Sequence, residues 1–80
     1  MDDGQMLVEM RFPSLETCTW AANSLNYAGV AIHARPSDRE ITICIPCRWA
    51  PLLSNLLKSA VGEPSFNRIQ FQTSEYVEEQ

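Results

Sequence analysis

ITICIPCRWAPLLSNLLKSAV, residues 41–61, carries the clearest structural pattern in the chain. Its first five residues alternate isoleucine with threonine or cysteine, the period of a strand with one buried face. Pro46 should end the strand because it cannot donate to a ladder, and Pro51 suits a first helical turn. The stripe expected to face the core comprises Trp49, Leu53, Leu56, Leu57 and Ala60. The segment therefore predicts a strand, a Cys-Ile-Pro-Cys turn and a helix packed on the isoleucine face.

Length and composition predict one small α+β domain spanning residues 1–80, with an ordered core at about 6–73 and an acidic tail at 74–80. Apolar residues make up 45% of the 80 residues and charged residues 20%, an ordinary globular balance. The net charge of −4 argues against direct nucleic-acid binding through bulk charge. No apolar run approaches the roughly 20 residues of a membrane span, and no basic segment followed by an apolar one stands at the N-terminus, so we expect no membrane contact and no signal peptide. Three cysteines, an odd number, do not suggest a secreted disulfide framework, so we expect a reducing, cytoplasmic location.

The rest of the chain shows the same two patterns, the two-residue alternation of strands and the three- to four-residue spacing of helices. Strands are predicted at residues 6–12, 30–35 and 68–73. A first helix should run from the N-cap Ser14 to near Gly29, and its buried stripe comprises Leu15, Cys18, Ala21, Ala22, Leu25 and Ala28. Gly62 and Pro64 should end the second helix and make residues 63–66 a connector.

The order β-α-β-β-α-β predicts a ferredoxin-like fold, an antiparallel four-stranded sheet with two helices on one face. With Ser37-Asp38 at the hairpin tip, His33 should lie opposite Thr42, and Ala34 opposite Ile41, beside an Ile32–Ile43 pair. The open face should then carry Leu7, Glu9, Arg11, Ala31, His33, Arg35, Thr42, Cys44, Arg68, Gln70 and Gln72.

Two large aromatic residues are predicted on the polar side of the first helix. Trp20 and Tyr27 lie seven residues apart and so share a face. Rigid aromatic side chains are typical anchors of protein interfaces, although a lid over the edge of a small core would also use them. Arg11, His33 and Arg35 on the open face are further candidates for contact with a protein partner. Arginines there also suggest RNA, but the face lacks the aromatics that stack bases.

Cys44-Ile45-Pro46-Cys47 raises a second hypothesis, thiol–disulfide chemistry. The segment resembles the thioredoxin motif, in which C-x-P-C opens a helix after a core strand, a position that favours a thiolate. A zinc site is not expected, because Cys18 should face the helices while His33 and Cys44 face away. No Gly-rich loop, nucleophile–base pair or cofactor motif is present, so we expect no cofactor and no ordinary enzyme site.

Phe12-Pro13-Ser14, followed by Glu16, Ala21 and Ser24-Leu25, resembles the opening of the small dimerisation subunit of the KEOPS (EKC) tRNA-modification complex. Residues 37–45 followed by Leu52-Leu53 are similar to the second half of that family, so the resemblance covers about residues 8–60. It implies a non-enzymatic subunit that dimerises and docks on the catalytic subunit that makes threonylcarbamoyladenosine in tRNA. The Phe-Pro-Ser and Ser-Leu positions are interpreted as structural.

The leading hypothesis from the sequence is thus a non-catalytic interaction or dimerisation subunit of a cytosolic assembly. A redox protein using Cys44 and Cys47 is one alternative. A small ligand-binding regulatory domain is another, and it rests on analogy with other ferredoxin-like folds.

Overall fold

A computed structural model of the chain describes residues 4–76, which form a four-stranded antiparallel sheet and three α-helices. The elements in chain order are β1 (Gln5–Arg11), α1 (Leu15–Tyr27), β2 (Ile32–Ser37), β3 (Glu40–Pro46), a 3₁₀ turn (Cys47–Trp49), α2 (Ala50–Val61), α3 (Glu63–Phe66) and β4 (Gln70–Tyr76). The strands lie in the order β2-β3-β1-β4, which is consistent with a ferredoxin-like arrangement. The predicted α+β class is confirmed. No helix within residues 4–76 combines the length and hydrophobicity needed to cross a membrane.

The core lies between one face of the sheet and the helices. Val8 lies opposite Ile43, and Met10 opposite Ile41, and all four side chains are buried. The predicted inner faces of β1 and β3 are therefore confirmed. The remaining buried apolar residues are Phe12, Cys18, Ala21, Ala22, Leu25, Ile45, Leu57, Val61 and Ile69. Each large side chain in this set contributes about 1.5–3 kcal/mol by leaving water.

Helix α1 begins as its sequence predicts. The backbone N–H of Thr17 donates to Ser14 Oγ over 3.2 Å, which satisfies one of the free donors of the first turn. Small residues at the buried positions let this helix approach the sheet closely. Leu15 and Ala28, expected on the buried stripe, are exposed because they flank it at the two ends of the helix.

The β2–β3 hairpin departs from the predicted register. Ile32 lies opposite Ile43 as expected, but Ala34 rather than His33 lies opposite Thr42, and Ser37 lies opposite Glu40. Extra residues of β2 therefore bulge out of the ladder, and the tip moves to residues 38–39.

The bulge reverses which side of the sheet the following residues face. Arg35, predicted on the open face, instead donates from Nη2 to the buried Sγ of Cys18 over 3.7 Å on the helix side. A single extra residue is enough for this reversal, because side chains alternate between the two faces.

The C-terminal third contains three further corrections. Helix α3 begins directly after Gly62 (φ +86°) despite Pro64, because proline is tolerated in a first helical turn. Arg68, predicted in the last strand, lies in the turn before it, and its N–H donates to the Ser65 carbonyl oxygen over 3.0 Å. Strand β4 extends to Tyr76, beyond the expected end of the ordered core. Residues 77–80 of the predicted acidic tail lie outside the described residues, and so do Asp2 and Asp3 at the other end of the chain.

Replacing Leu57 with alanine should destabilise the fold by about 3 kcal/mol, because Leu57 is fully buried beneath α2. Leu52→Ala is the matched control on the same helix: Leu52 is exposed and should change the free energy of unfolding by less than about 0.5 kcal/mol. Urea denaturation of both variants checks this. Equal losses at the two positions would contradict the assignment of the buried stripe.

Alkaline pH should also weaken the fold through Cys18. Burial raises the pKa of the Cys18 thiol, and the neighbouring Arg35 guanidinium offsets part of that rise. The folded state therefore holds this proton more tightly than the unfolded chain does. Its contribution to stability is complete at neutral pH and is lost as pH rises from the ordinary thiol pKa through the raised folded value. Denaturation midpoints measured at stepped alkaline pH should fall more steeply in the wild type than in Cys18→Ala. Identical slopes would refute this expectation.

Candidate interaction surface

An apolar groove lies between the C-terminal end of α1 and the N-terminal half of α2. Its volume is about 220 Å³ and every lining residue is apolar: Ala28, Val30, Ile45, Trp49, Leu52, Leu53 and Leu56. The most exposed of the large side chains are Leu52 at 62% and Trp49 at 40%. The floor includes Ile45, so the groove opens directly from the edge of the core.

The start of α2 explains why the groove is open. The 3₁₀ turn Cys47–Trp49 separates β3 from α2, and Trp49 sits at the N-cap of the helix without a side-chain capping hydrogen bond. Trp49 was predicted in the buried stripe of one continuous helix, and that prediction is wrong. The buried positions of α2 are farther along, at Leu57 and Val61, and Leu52 in its first turn is exposed.

A sequence pattern indicates this groove, but the prediction of one buried stripe on the second helix did not include it. Trp49, Leu52 and Leu56 follow one another at three- and four-residue spacing, which places them on one side of a helix. Leu52 falls outside the predicted stripe, so the apolar face of this helix is wider than the core requires.

The two aromatic residues predicted outside the core are exposed. Trp20 is 45% exposed and Tyr27 is 96% exposed. They are separated by about 10 Å along α1, two helical turns. Tyr27 directly precedes Ala28, which lines the apolar groove. Their role in partner binding stays a prediction.

The open face of the sheet carries a polar depression of about 410 Å³. It is lined by Glu9, Met10, Arg11, Pro36, Glu40, Ile41, Thr42, Gln70, Phe71 and Gln72. Arg11 lies here as predicted and forms an ion pair with Glu40, Nη1 to Oε2, at 3.8 Å. His33 and Arg35, also predicted to contact a partner from this face, do not line the depression. His33 is exposed in the irregular part of β2, and Arg35 reaches the helix side.

The two cysteines of the C-x-x-C segment are free thiols. The Cys44 thiol donates to Gln5 Oε1 over 3.7 Å, and the N–H of the exposed Cys47 donates to the Gly4 carbonyl oxygen over 3.1 Å. The expected turn between them is wrong, because β3 stays extended through Pro46. Extended backbone separates Cα atoms three residues apart by about 10 Å. Disulfides need Cα atoms within about 7 Å.

No three His, Cys, Asp or Glu side chains within residues 4–76 are grouped so that they could hold a metal ion. Comparison with family models, curated proteins and solved structures finds no match to this chain. The resemblance to the KEOPS subunit therefore stays a prediction.

The three thiols should react with an alkylating reagent in the order of their exposure. Cys47 should react first, Cys44 more slowly, and Cys18 only after unfolding, because its side chain is fully buried. Mass spectrometry of the labelled peptides gives the order. Oxidised glutathione should not link Cys44 to Cys47 unless β3 unravels, which circular dichroism follows. Rapid formation of that disulfide with the sheet intact would contradict the geometry.

Proposed function

We propose that this protein is a non-catalytic protein–protein interaction or dimerisation subunit of a larger cytosolic assembly. The observation that carries the proposal is the exposure of Tyr27, Leu52 and Trp49 beside an apolar groove. Together these three side chains expose roughly 400 Å². The largest apolar patch on a typical monomer measures about 300–600 Å² and is often functional, so exposed apolar surface of this extent is a candidate interaction site.

The outer face of α1 extends this surface toward the area that a stable complex needs. A standard interface buries about 800 Å² on each partner, around twice what the three side chains near the groove expose. Trp20 adds a large exposed aromatic on the same side of α1 as Tyr27. A partner that covers both the groove and this helix face would therefore have a typical contact area.

For the fold we propose the ferredoxin-like βαββαβ plan, with α3 as a short addition before β4. The strand order β2-β3-β1-β4 supports it, as does a core shared by α1, α2 and the inner faces of β1 and β3. For the assembly we propose a KEOPS-like tRNA-modification complex. Phe12 is buried and Ser14 caps α1, which supports the structural role given to the Phe-Pro-Ser motif. In such a complex we expect the protein to contact other proteins and neither nucleic acid nor membrane directly.

One alternative is favoured by a specific feature. The polar depression has the volume of a small-ligand site, and Thr42 lies within it with only 8% of its surface exposed. A ligand-binding regulatory domain is therefore the second candidate. The redox alternative lacks comparable support, because the extended end of β3 holds Cys44 and Cys47 apart. A Thr42→Val variant separates the first two candidates: it should leave protein complexes intact and would abolish binding of a small polar ligand.

The proposal predicts a complex that depends on the exposed aromatics. Light scattering of the protein purified from its native host should show a dimer or a partner in fixed stoichiometry. The double variant Trp20→Ala, Tyr27→Ala should lose that complex while circular dichroism stays unchanged, since both side chains are exposed. Gln72→Ala, exposed on the opposite face of the sheet, is the matched control and should behave like the wild type. A strict monomer without a stoichiometric partner, or a double variant that binds normally, would count against the function.

A further inference from the structure

The open face of the sheet arranges polar side chains in two rows across β3, β1 and β4. Residues directly opposite each other on antiparallel strands share a face, and their Cβ atoms lie about 5 Å apart. Successive residues on that face of one strand are about 7 Å apart. One small molecule can therefore touch both rows. The rows, all of which line the polar depression, are Thr42–Glu9–Gln72 and Glu40–Arg11–Gln70.

Thr42 offers an unused hydroxyl group to this depression. Only 8% of the residue is exposed, yet its hydroxyl makes no hydrogen bond within residues 4–76. In the same part of the chain, every fully enclosed polar atom of a side chain has a partner. The Thr42 hydroxyl must therefore reach the surface of the depression. Polar groups of residues this deeply buried normally have a hydrogen-bond partner, so the hydroxyl marks a place for a ligand atom.

The charged side chains beside Thr42 also have unused binding capacity. Glu9 forms no ion pair or hydrogen bond within residues 4–76. Arg11 Nη1 lies 3.8 Å from Glu40 Oε2, which is too far for a hydrogen bond and leaves the guanidinium donors open to an anion. A carboxylate and a guanidinium group thus stand two residues apart on β1 and face the same depression.

We propose that the polar depression binds a free amino acid, a function beyond the interaction role proposed above. The ammonium group of the ligand donates to the Glu9 carboxylate and to the Thr42 hydroxyl. Its carboxylate accepts hydrogen bonds from the Arg11 guanidinium, and both contacts are of the strong, charge-assisted kind. Gln70 and Gln72 leave their amides for a polar side chain of the ligand. The volume of about 410 Å³ falls within the roughly 300–1,000 Å³ of small-molecule sites.

Other classes of ligand use this set of side chains less well. A phosphate or a nucleotide would bring its negative charges beside Glu9 and Glu40, and like charges at close range are unfavourable. A simple amine would leave the Arg11 guanidinium without an anionic ligand group. A metal ion is not supported, because no three suitable ligands are grouped within residues 4–76.

The proposed site is separate from the apolar groove. The two share no lining residue, and the depression lies on the sheet face that the helices leave open. A protein partner on the groove would leave the depression accessible. The amino-acid site and the interaction function can therefore be tested independently.

The test titrates the isotopically labelled protein with the common L-amino acids one at a time and follows backbone amide signals by NMR. Concentrations up to about 10 mM saturate a site with a Kd near 1 mM. At least one amino acid with a polar side chain should shift the amides of Glu9, Thr42 and Gln72 in a saturable way. Its methyl ester lacks the carboxylate and its N-acetyl derivative lacks the ammonium group. Each should bind at least about tenfold more weakly, the effect of losing a charge-assisted contact.

Matched variants then assign each contact. Glu9→Gln should weaken the amino acid about tenfold and leave binding of its N-acetyl derivative unchanged, since that derivative no longer uses Glu9. Arg11→Gln should behave in the same way toward the methyl ester. Thr42→Val should weaken binding about tenfold or more, whereas Thr42→Ser keeps the hydroxyl and should bind as the wild type does. Glu63→Gln removes a charge from α3 on the other side of the molecule and should change nothing.

Four results would overturn the amino-acid site. These are a panel in which no amino acid moves the three amides, derivatives that bind as tightly as the amino acid itself, unchanged affinity in Glu9→Gln and Arg11→Gln, and equal losses in Thr42→Val and Thr42→Ser. None of them touches the interaction function, because the complex that depends on Trp20 and Tyr27 is measured separately by light scattering. Loss of that complex would in turn leave the amino-acid titration as it stands.

Discussion

The structure depends on one apolar sheet face that the helices must cover. The Val8–Ile43 and Met10–Ile41 pairs at its centre are fully enclosed, and the helices have to approach them closely. Helix α1 achieves this with small residues, Cys18, Ala21 and Ala22. A chain of 80 residues buries only about 60% of the surface of its unfolded form, so this core is small and cannot extend to the ends of both helices.

The limited width of the core explains where the exposed apolar side chains lie. Helix α2 buries Leu57 and Val61 in its C-terminal half, whereas Leu52 in its first turn is exposed. At the C-terminal end of α1, Tyr27 is exposed and Ala28 lines the groove. A fold selected only to close its own core would place polar residues at these positions. The apolar ones are consistent with a surface that another molecule covers.

What the sequence predicted, and what it did not, follows from the range of the interactions involved. The faces of β1 and β3, the Ser14 cap and the exposure of Trp20 and Tyr27 depend on local periodicity, and all were predicted. The hairpin register depends on which two turn-forming residues make the tip, and Ser37-Asp38 and Asp38-Arg39 are similar in turn chemistry. The bulge that absorbs the difference left Arg35 on the other side of the sheet. The apolar groove was missed because one helical period was applied through a 3₁₀ turn that advances by a different angle.

In the segment after Cys44, a Cys44–Cys47 disulfide and the apolar groove require different backbone conformations. For Cys44 and Cys47 to form a disulfide, the backbone between these two residues would have to bend. That bend would break the pairing of Pro46 with Gln5 and the hydrogen bond from the Cys47 N–H to the Gly4 carbonyl oxygen. It would also displace Ile45 and Trp49, which form the floor and wall of the groove. The extended conformation therefore keeps the thiols apart and builds the apolar groove at the same time, which favours interaction over thiol chemistry as the use of this segment.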